Sequence, residues 1–249
     1  MGRVITRFAP SPTGYLHLGH AYAAQQAFGY ANEHGGICLL RIEDIDHTRC
    51  KPEYTSAIYE DLDWLGFDWP IPVRVQSQHR ADYACVIDRL NAMDLLYRCF
   101  KTRKELPDGV YRGGPDPDEA ARLKANEKFA WRLSIDRAQA HLGESDLPFS
   151  DEVLARKDIG TSYHVACCHD DALQAVTHVV RGKDIEPLTA FQNLLQRLMG
   201  WSVPEYIHHK LRLNPDGEKL SKRNHDTSIR SLRAEGYTAA EVLDMAQPW

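Results

Sequence analysis

The sequence predicts an α/β fold, in which parallel strands alternate with helices and a subdomain is inserted midway. Three observations lead there. Val4-Ile5-Thr6-Arg7-Phe8 and Ile37-Cys38-Leu39-Leu40-Arg41-Ile42 are short apolar runs, the second nearly unbroken, as expected of strands covered on both faces. Between them, the Ala- and Gln-rich stretch from Leu18 to Glu33 suits a helix that stops at Gly35-Gly36. Strand, helix and strand in such close succession make a βαβ unit, and the same alternation returns after residue 150.

Along the chain, Pro10-Ser11-Pro12-Thr13-Gly14 ends the first strand in a loop. A helix is expected between Arg80 and Leu96, with Tyr83, Val86, Ile87, Leu90 and Met93 on one face. After Cys99 the character changes: residues 101–127 are charged and carry Pro107, Gly109, Gly113, Gly114, Pro115 and Pro117. Residues 99–150 therefore read as an inserted subdomain, with Phe129–Ile135 as one of its strands. Next come a strand at His178-Val179-Val180, a helical stripe of Leu188, Phe191, Leu194, Leu195 and Leu198, and a strand at Tyr206-Ile207-His208. The expected organisation is a catalytic domain split into 1–98 and 151–223, the insertion at 99–150, and a helical tail over 224–249.

The chain has 249 residues, 43% hydrophobic and 26% charged, which excludes a disordered chain and leaves enough apolar surface for a sizeable core. No apolar run is long enough for a membrane span, and the N-terminus has no apolar signal region. A cytoplasmic protein with reduced thiols is expected, since Cys38, Cys50, Cys85, Cys99, Cys167 and Cys168 show no paired ligand spacing. The net charge of −5 gives no general attraction to nucleic acid, so any such partner needs a local basic patch.

Two segments carry chemistry. The first, Arg7-Phe8-Ala9-Pro10-Ser11-Pro12-Thr13-Gly14-Tyr15-Leu16-His17-Leu18-Gly19-His20, joins the first strand to the first helix. Ligands of parallel sheets bind beyond the carboxyl ends of strands, where a helix N-terminus attracts phosphate. His17 and His20 can both face one ligand there, and Gly19 lets a flat group such as adenine approach the backbone. The second is Lys219-Leu220-Ser221-Lys222-Arg223, after the turn Asn214-Pro215-Asp216-Gly217-Glu218. Lysines three apart on a loop can clamp phosphates while charge shifts during reaction. An isolated H-x-G-H reads equally well as two surface histidines, but the R-F-A-P-S-P-T-G run before it favours a ligand site. The basic pentapeptide alone reads first as a solvated face.

Together they resemble the two signatures of class I aminoacyl-tRNA synthetases. RFAPSPTGYLHLGHA, LLRIEDID, SYHVACCHDD, VVRGKDI and KLSKR are similar to the glutamyl branch in order and spacing. The resemblance runs from Arg7 to about His225 and implies a Rossmann-like parallel-sheet catalytic core. The chain stops soon after KLSKR, where a glutamyl-tRNA synthetase continues into an anticodon-binding domain. That plan is similar to the bacterial paralogues that place glutamate on the modified base queuosine of tRNA(Asp).

The resemblance implies site residues one by one. Arg7, Ala9, Ser11, Glu43, Tyr163 and Arg181 are expected to bind L-glutamate, with Glu43 on the ammonium group and the arginines on carboxylate. His17, Gly19, His20, Lys219, Ser221 and Lys222 are expected to bind ATP with Mg2+, and His17, His20 and Lys222 to stabilise the phosphates during activation. tRNA is expected near Lys101, Arg103, Lys104, Arg112, Arg122 and Lys124, a cluster that also reads as a solvated face. A monomer without membrane partners is expected. Many of these paralogues bind zinc in the insertion through Cys-x-Cys, a tyrosine and a further cysteine. Here Cys99 and Tyr111 remain, but Lys101 and Pro115 stand at the other two positions, so no zinc is expected. Alternatives left open are a catalytic fragment that charges the tRNA 3′ end, a nucleotidylyltransferase, and a non-catalytic paralogue binding tRNA or an amino acid.

Overall fold

The computed structural model describes residues 2–212 and 228–247. The chain begins with β1 (Ile5–Phe8), α1 (Leu18–Glu33), β2 (Ile37–Ile42), α2 (Pro52–Trp64) and β3 (Arg74–Val75). These strands form a parallel sheet in the order β1-β2-β3, with Arg7 beside Leu39 and Arg41 beside Arg74. Buried Ala21, Ala24, Ala27 and Ala31 give α1 a small-residue face, and the Thr6 hydroxyl donates to the Ala27 carbonyl at 2.8 Å. Gly35 ends the helix region at φ 61°. Gly36 follows because a Cβ there would strike the Val4 carbonyl oxygen, which instead accepts from Ile37 N–H at 2.9 Å.

Next come α3 (Arg80–Ala92), β4 (Leu96–Cys99), α4 (Glu119–Lys124), β5 (Ala130–Leu133), α5 (Ile135–Leu142), β6 (Val153–Ala155) and α6 (Tyr163–Leu173). The helix expected as far as Leu96 stops at Ala92. Asp94 turns the chain at φ 56°, and Leu96 already belongs to β4. The strand expected over Phe129–Ile135 shortens to β5, because the Ser134 hydroxyl accepts from Arg137 N–H at 3.4 Å and caps α5. β4, β5 and β6 form an antiparallel sheet in that order.

The last part holds β7 (His178–Gly182), α7 (Thr189–Leu198), β8 (Glu205–His209), α8 (Ile229–Ala234) and α9 (Ala239–Met245). Leu188, expected on the α7 stripe, instead closes a 3-10 turn over Lys183–Leu188. β7 and β8 pair in parallel, which places Val179 beside Tyr206 and Arg181 beside His208. Thr177 N–H donates to the Ile5 carbonyl at 2.9 Å, so β7 starts beside the start of β1.

Two compact units result. One takes the residues up to Gln78, Leu173–Thr189 and the residues from Val203 onward; the other takes His79–Ala172 and Ala190–Ser202. The expected insertion lies wholly within the second. The core of the first gathers Ala24, Leu40, Ile42, Ile58, Leu62 and Val180 with Ile229, Leu232 and Val242 from the last two helices. Among the described residues no helix is long and apolar enough to cross a membrane.

Candidate active site

The start of α1 is built by its own histidines. His17 is the N-cap, in extended conformation at φ −127° and ψ 176°. Its Nδ1 accepts from Gly19 N–H at 3.1 Å, and His20 Nδ1 accepts from His17 N–H at 3.2 Å. This is a capping box in which imidazoles replace the usual hydroxyl and carboxylate. The consequence is chemical. With Nδ1 accepting on each ring, the hydrogen of each neutral imidazole sits on Nε2. The ring centroids lie 3.9 Å apart. No acidic residue occupies the first turn of α1, so the positive end of this sixteen-residue helix is left to attract an anion. Ser228 pairs with His17, and Ile229 N–H donates to the Leu16 carbonyl at 2.9 Å, so the chain re-enters the described structure beside this turn.

Arg7, Glu43 and Arg181 each stand within one residue of the carboxyl end of a parallel strand. All three are buried. Glu43 N–H donates to the Pro10 carbonyl at 3.1 Å, and Lys51 N–H to the Pro12 carbonyl at 3.0 Å, tying the loop after β1 to the segment after β2. Glu43 Oε1 lies 3.6 Å from Arg41 Nη1, and Arg41 Nε donates to Gln174 Oε1 at 2.8 Å. A buried carboxylate is thus held beside a buried guanidinium that is itself anchored. Arg181 lies with its guanidinium carbon 4.8 Å from the centroid of the Tyr206 ring, while its Nη2 donates to the Thr189 hydroxyl at 2.8 Å. That hydroxyl is 3.0 Å from His208 Nε2. Burial, reinforced by the nearby Arg181, lowers the His208 pKa.

Of the other residues expected in the site, Ala9 and Gly19 are half-buried and Ser11 is exposed. Tyr163 opens α6 in the second unit and is half-buried. Lys219, Ser221 and Lys222 lie outside the described residues. The sequence reading missed Arg41, Thr189 and His208. His208 had a signal, since it alternates with Tyr206 on a strand paired with the one bearing Arg181. A thiol nucleophile is not available from β2: burial pushes Cys38 up to about 11.

The insertion is organised differently. Asp151, the buried residue just past the end of the insertion, accepts from Gly113 N–H at 2.7 Å, Ile135 N–H at 2.9 Å and the Tyr97 hydroxyl at 3.0 Å. Tyr111 is also buried, with Lys101 Nζ 5.6 Å and the Arg132 guanidinium 5.2 Å from its ring centroid. These residues do not fit a zinc ion, because Lys101 is an ammonium without a lone pair and Pro115 has no side-chain donor, which leaves Cys99 and Tyr111 short of a four-ligand set. Among the described residues no group of three or more His, Cys, Asp or Glu side chains could hold a metal. The basic cluster divides in two. Arg112 donates to the Leu147 carbonyl and lies 3.4 Å from Asp136, and Arg122 pairs with Asp116 and Glu127. Lys101, Arg103, Lys104 and Lys124 are exposed.

Comparison with known proteins shows the family. The family model of the class I tRNA synthetases (E and Q), catalytic domain, matches residues 3–128 and 118–246. A Rhodobacter capsulatus protein named glutamyl-Q tRNA(Asp) synthetase is 39% identical, over 96% of this chain and 98% of its own length. Glutamate–tRNA ligase 2 of Dinoroseobacter shibae is 38% identical over 96% of this chain, which spans 60% of that relative. The crystal structure of a glutamate tRNA ligase from Elizabethkingia meningosepticum, in complex with its amino acid, superimposes with a TM-score of 0.80 at 27% identity, over 98% of this chain and 60% of that one. A nucleotide-binding α/β core with an H-x-G-H helix start and basic strand ends thus belongs to the class I tRNA synthetases for glutamate and glutamine, as a glutamyl-tRNA synthetase-like catalytic domain and an aminoacyl-tRNA-synthetase-type ligase.

Proposed function

We propose that this protein activates L-glutamate with ATP and transfers it to queuosine at the wobble position of tRNA(Asp). The observation that carries the glutamate half is the trio Arg7, Glu43 and Arg181 at the strand ends. One carboxylate and two guanidiniums suit a ligand with one ammonium and two carboxylates. The acceptor half rests on the relative named glutamyl-Q tRNA(Asp) synthetase, which matches along nearly its full length.

In the first step the α-carboxylate oxygen of glutamate bonds to the α-phosphorus of ATP, taken as its Mg2+ complex. The bond from that phosphorus to the bridging oxygen breaks, and pyrophosphate leaves with the electron pair. No protein nucleophile takes part. Positioning and charge stabilisation supply the acceleration. The Nε2–H groups of His17 and His20 donate to phosphate oxygens whose charge grows as the bond breaks. Lys219, Ser221 and Lys222 enter this reading through their motif, and Ser228, six positions after Lys222, adjoins His17. In the second step a hydroxyl of the queuosine cyclopentene ring attacks the activated carbonyl and AMP leaves.

The deciding experiment compares glutamate incorporation into tRNA(Asp) with and without queuosine. We expect glutamate-dependent ATP–pyrophosphate exchange without tRNA, and transfer only to the queuosine-bearing form. The glutamate–tRNA ligases among the relatives favour a second reading, acylation of the 3′-terminal adenosine. Periodate oxidation of that end, in queuosine-free tRNA, would abolish the product if it holds. Exchange absent under all conditions would leave a non-catalytic paralogue.

A further inference from the structure

Among the described residues, two contacts from different elements meet on Arg181. β7 carries the arginine and β8 carries Tyr206 and His208 on one face, their rings parallel within 12°. The Tyr206 ring backs the guanidinium, while Thr189, at the first position of α7, takes one of its amino groups at 2.8 Å. A hydroxyl that accepts from arginine keeps its own hydrogen, and His208 Nε2 stands 3.0 Å away to receive it. Thr189 is therefore gripped from the side opposite Arg181, and its rotamer is set by the strand rather than by solvent. A guanidinium recognises a carboxylate through a planar fork, so selectivity depends on the plane as well as the charge. One contact against a ring face leaves rotation within the plane. The contact to Thr189 restrains it.

We propose that Thr189, backed by His208, is a positioning residue that fixes the Arg181 guanidinium for an acidic amino-acid side chain and so sets substrate selectivity. This inference rests on the reading of Arg181 as a carboxylate ligand. It assigns Thr189 no contact with the substrate.

The test uses the full chain and ATP–pyrophosphate exchange, with KM for glutamate and for ATP measured separately. Thr189→Val keeps the shape and removes the hydroxyl; Thr189→Ser keeps the hydroxyl. The expected result is a roughly tenfold rise in KM for glutamate in T189V, as for one hydrogen bond to a charged group, with KM for ATP within about twofold and T189S close to the parent. A His208→Phe variant should raise KM for glutamate by less, and adding it to T189V should cost little more, since both act through one hydroxyl. H208F gives the same readout if T189V fails to fold. Three outcomes overturn the proposal: unchanged KM for glutamate in both variants, equal rises in both KM values, or a T189S variant as impaired as T189V. Arg181→Cys separates this from the underlying reading. Unchanged KM for glutamate in R181C removes the reading and the inference with it, whereas a large rise in R181C without one in T189V and H208F removes the inference alone.

Discussion

The inserted subdomain and the strand ends of the parallel unit both bury charge, and they treat it in opposite ways. In the insertion, charge is consumed locally. At its two borders, Asp151 takes three donors from one turn, one helix start and one phenol and Arg98 pairs with Glu119, while within it Arg122 pairs with two acids. At the strand ends, Arg7, Arg41, Glu43 and Arg181 are buried, with Glu43 beside Arg41 and Arg181 against Tyr206 and Thr189. Charge satisfied by its own fold is architecture. Charge placed at the carboxyl ends of parallel strands lies where the ligands of such sheets bind. The contrast also explains why two of the six residues of the basic cluster in the insertion are poor candidates for tRNA contact: Arg112 and Arg122 already hold the subdomain together.

The largest effect that can break this comparison is at Asp151. Asp151→Ala would leave the amides of Gly113 and Ile135 and the Tyr97 hydroxyl without their acceptor, at a cost of about 3–5 kcal/mol. The expected reading is a fall of several degrees in Tm, with KM for glutamate unchanged in the protein that stays folded. A selective loss of glutamate binding at full stability would contradict the architectural role. Arg181→Cys is the mirror image. Removing a charge-assisted bond worth about 1.5–3 kcal/mol should raise KM for glutamate roughly 10- to 150-fold, with KM for ATP and Tm little changed. Equal losses for both ligands would make Arg181 structural as well.

A smaller effect concerns a carboxylate that has neither fate. Asp61 on α2 is buried, and among the described residues no donor reaches its Oδ2. Burial pushes its pKa from 3.8 up to about 6, with Glu60 adding to the rise and Arg230 and Arg233 opposing it. A native state that binds this proton more tightly than the unfolded chain loses stability as pH rises from about 4 through 6. Asp61→Asn should therefore stabilise the fold by about 1–3 kcal/mol at pH 8. The gain should shrink through pH 6 and vanish below pH 4, which urea titrations at these three values can check. A gain that does not depend on pH would show that ionisation of Asp61 is not its source.

Much of this was legible in the sequence where a local rule decides. β2 and α1 occupy the expected positions because an apolar run and an Ala-rich stretch closed by Gly35-Gly36 leave little choice. α2 was not foreseen, although Pro52 sits at its first turn, because its polar residues blur the apolar face. The strands of the insertion were underread for another reason: β4 and β6 are short, and antiparallel pairing with β5 makes them strands rather than any pattern of their own. The site divides along the same line. Arg7, His17, His20, Glu43 and Arg181 lie in recognisable segments, whereas Thr189 and His208 acquire meaning only from the register of β7 and β8. Histidines that cap a helix through Nδ1 were likewise beyond spacing arguments, since only geometry shows which nitrogen accepts.

The smallest expected effect is none at all, and it tests the insertion hardest. Zinc-bearing relatives would be destabilised by a chelator, because a closed four-coordinate site contributes folding energy directly. In this chain Lys101 is a cation without a lone pair at neutral pH, Pro115 has no side-chain donor, and the Tyr111 ring is flanked by Lys101 and Arg132. The hydrogen bonds to Asp151, together with the Arg132 Nη1 bond to its carbonyl at 2.5 Å, tie Gly113, Arg132 and Ile135 to one residue without a metal. Protein grown in zinc-supplemented medium should carry well under one zinc per chain, and EDTA should leave both Tm and pyrophosphate exchange unchanged. Stoichiometric zinc with a lower Tm on chelation would mean that a ligand from outside the insertion completes the site, and the insertion would then resemble the strand ends in gathering groups for something bound rather than for itself.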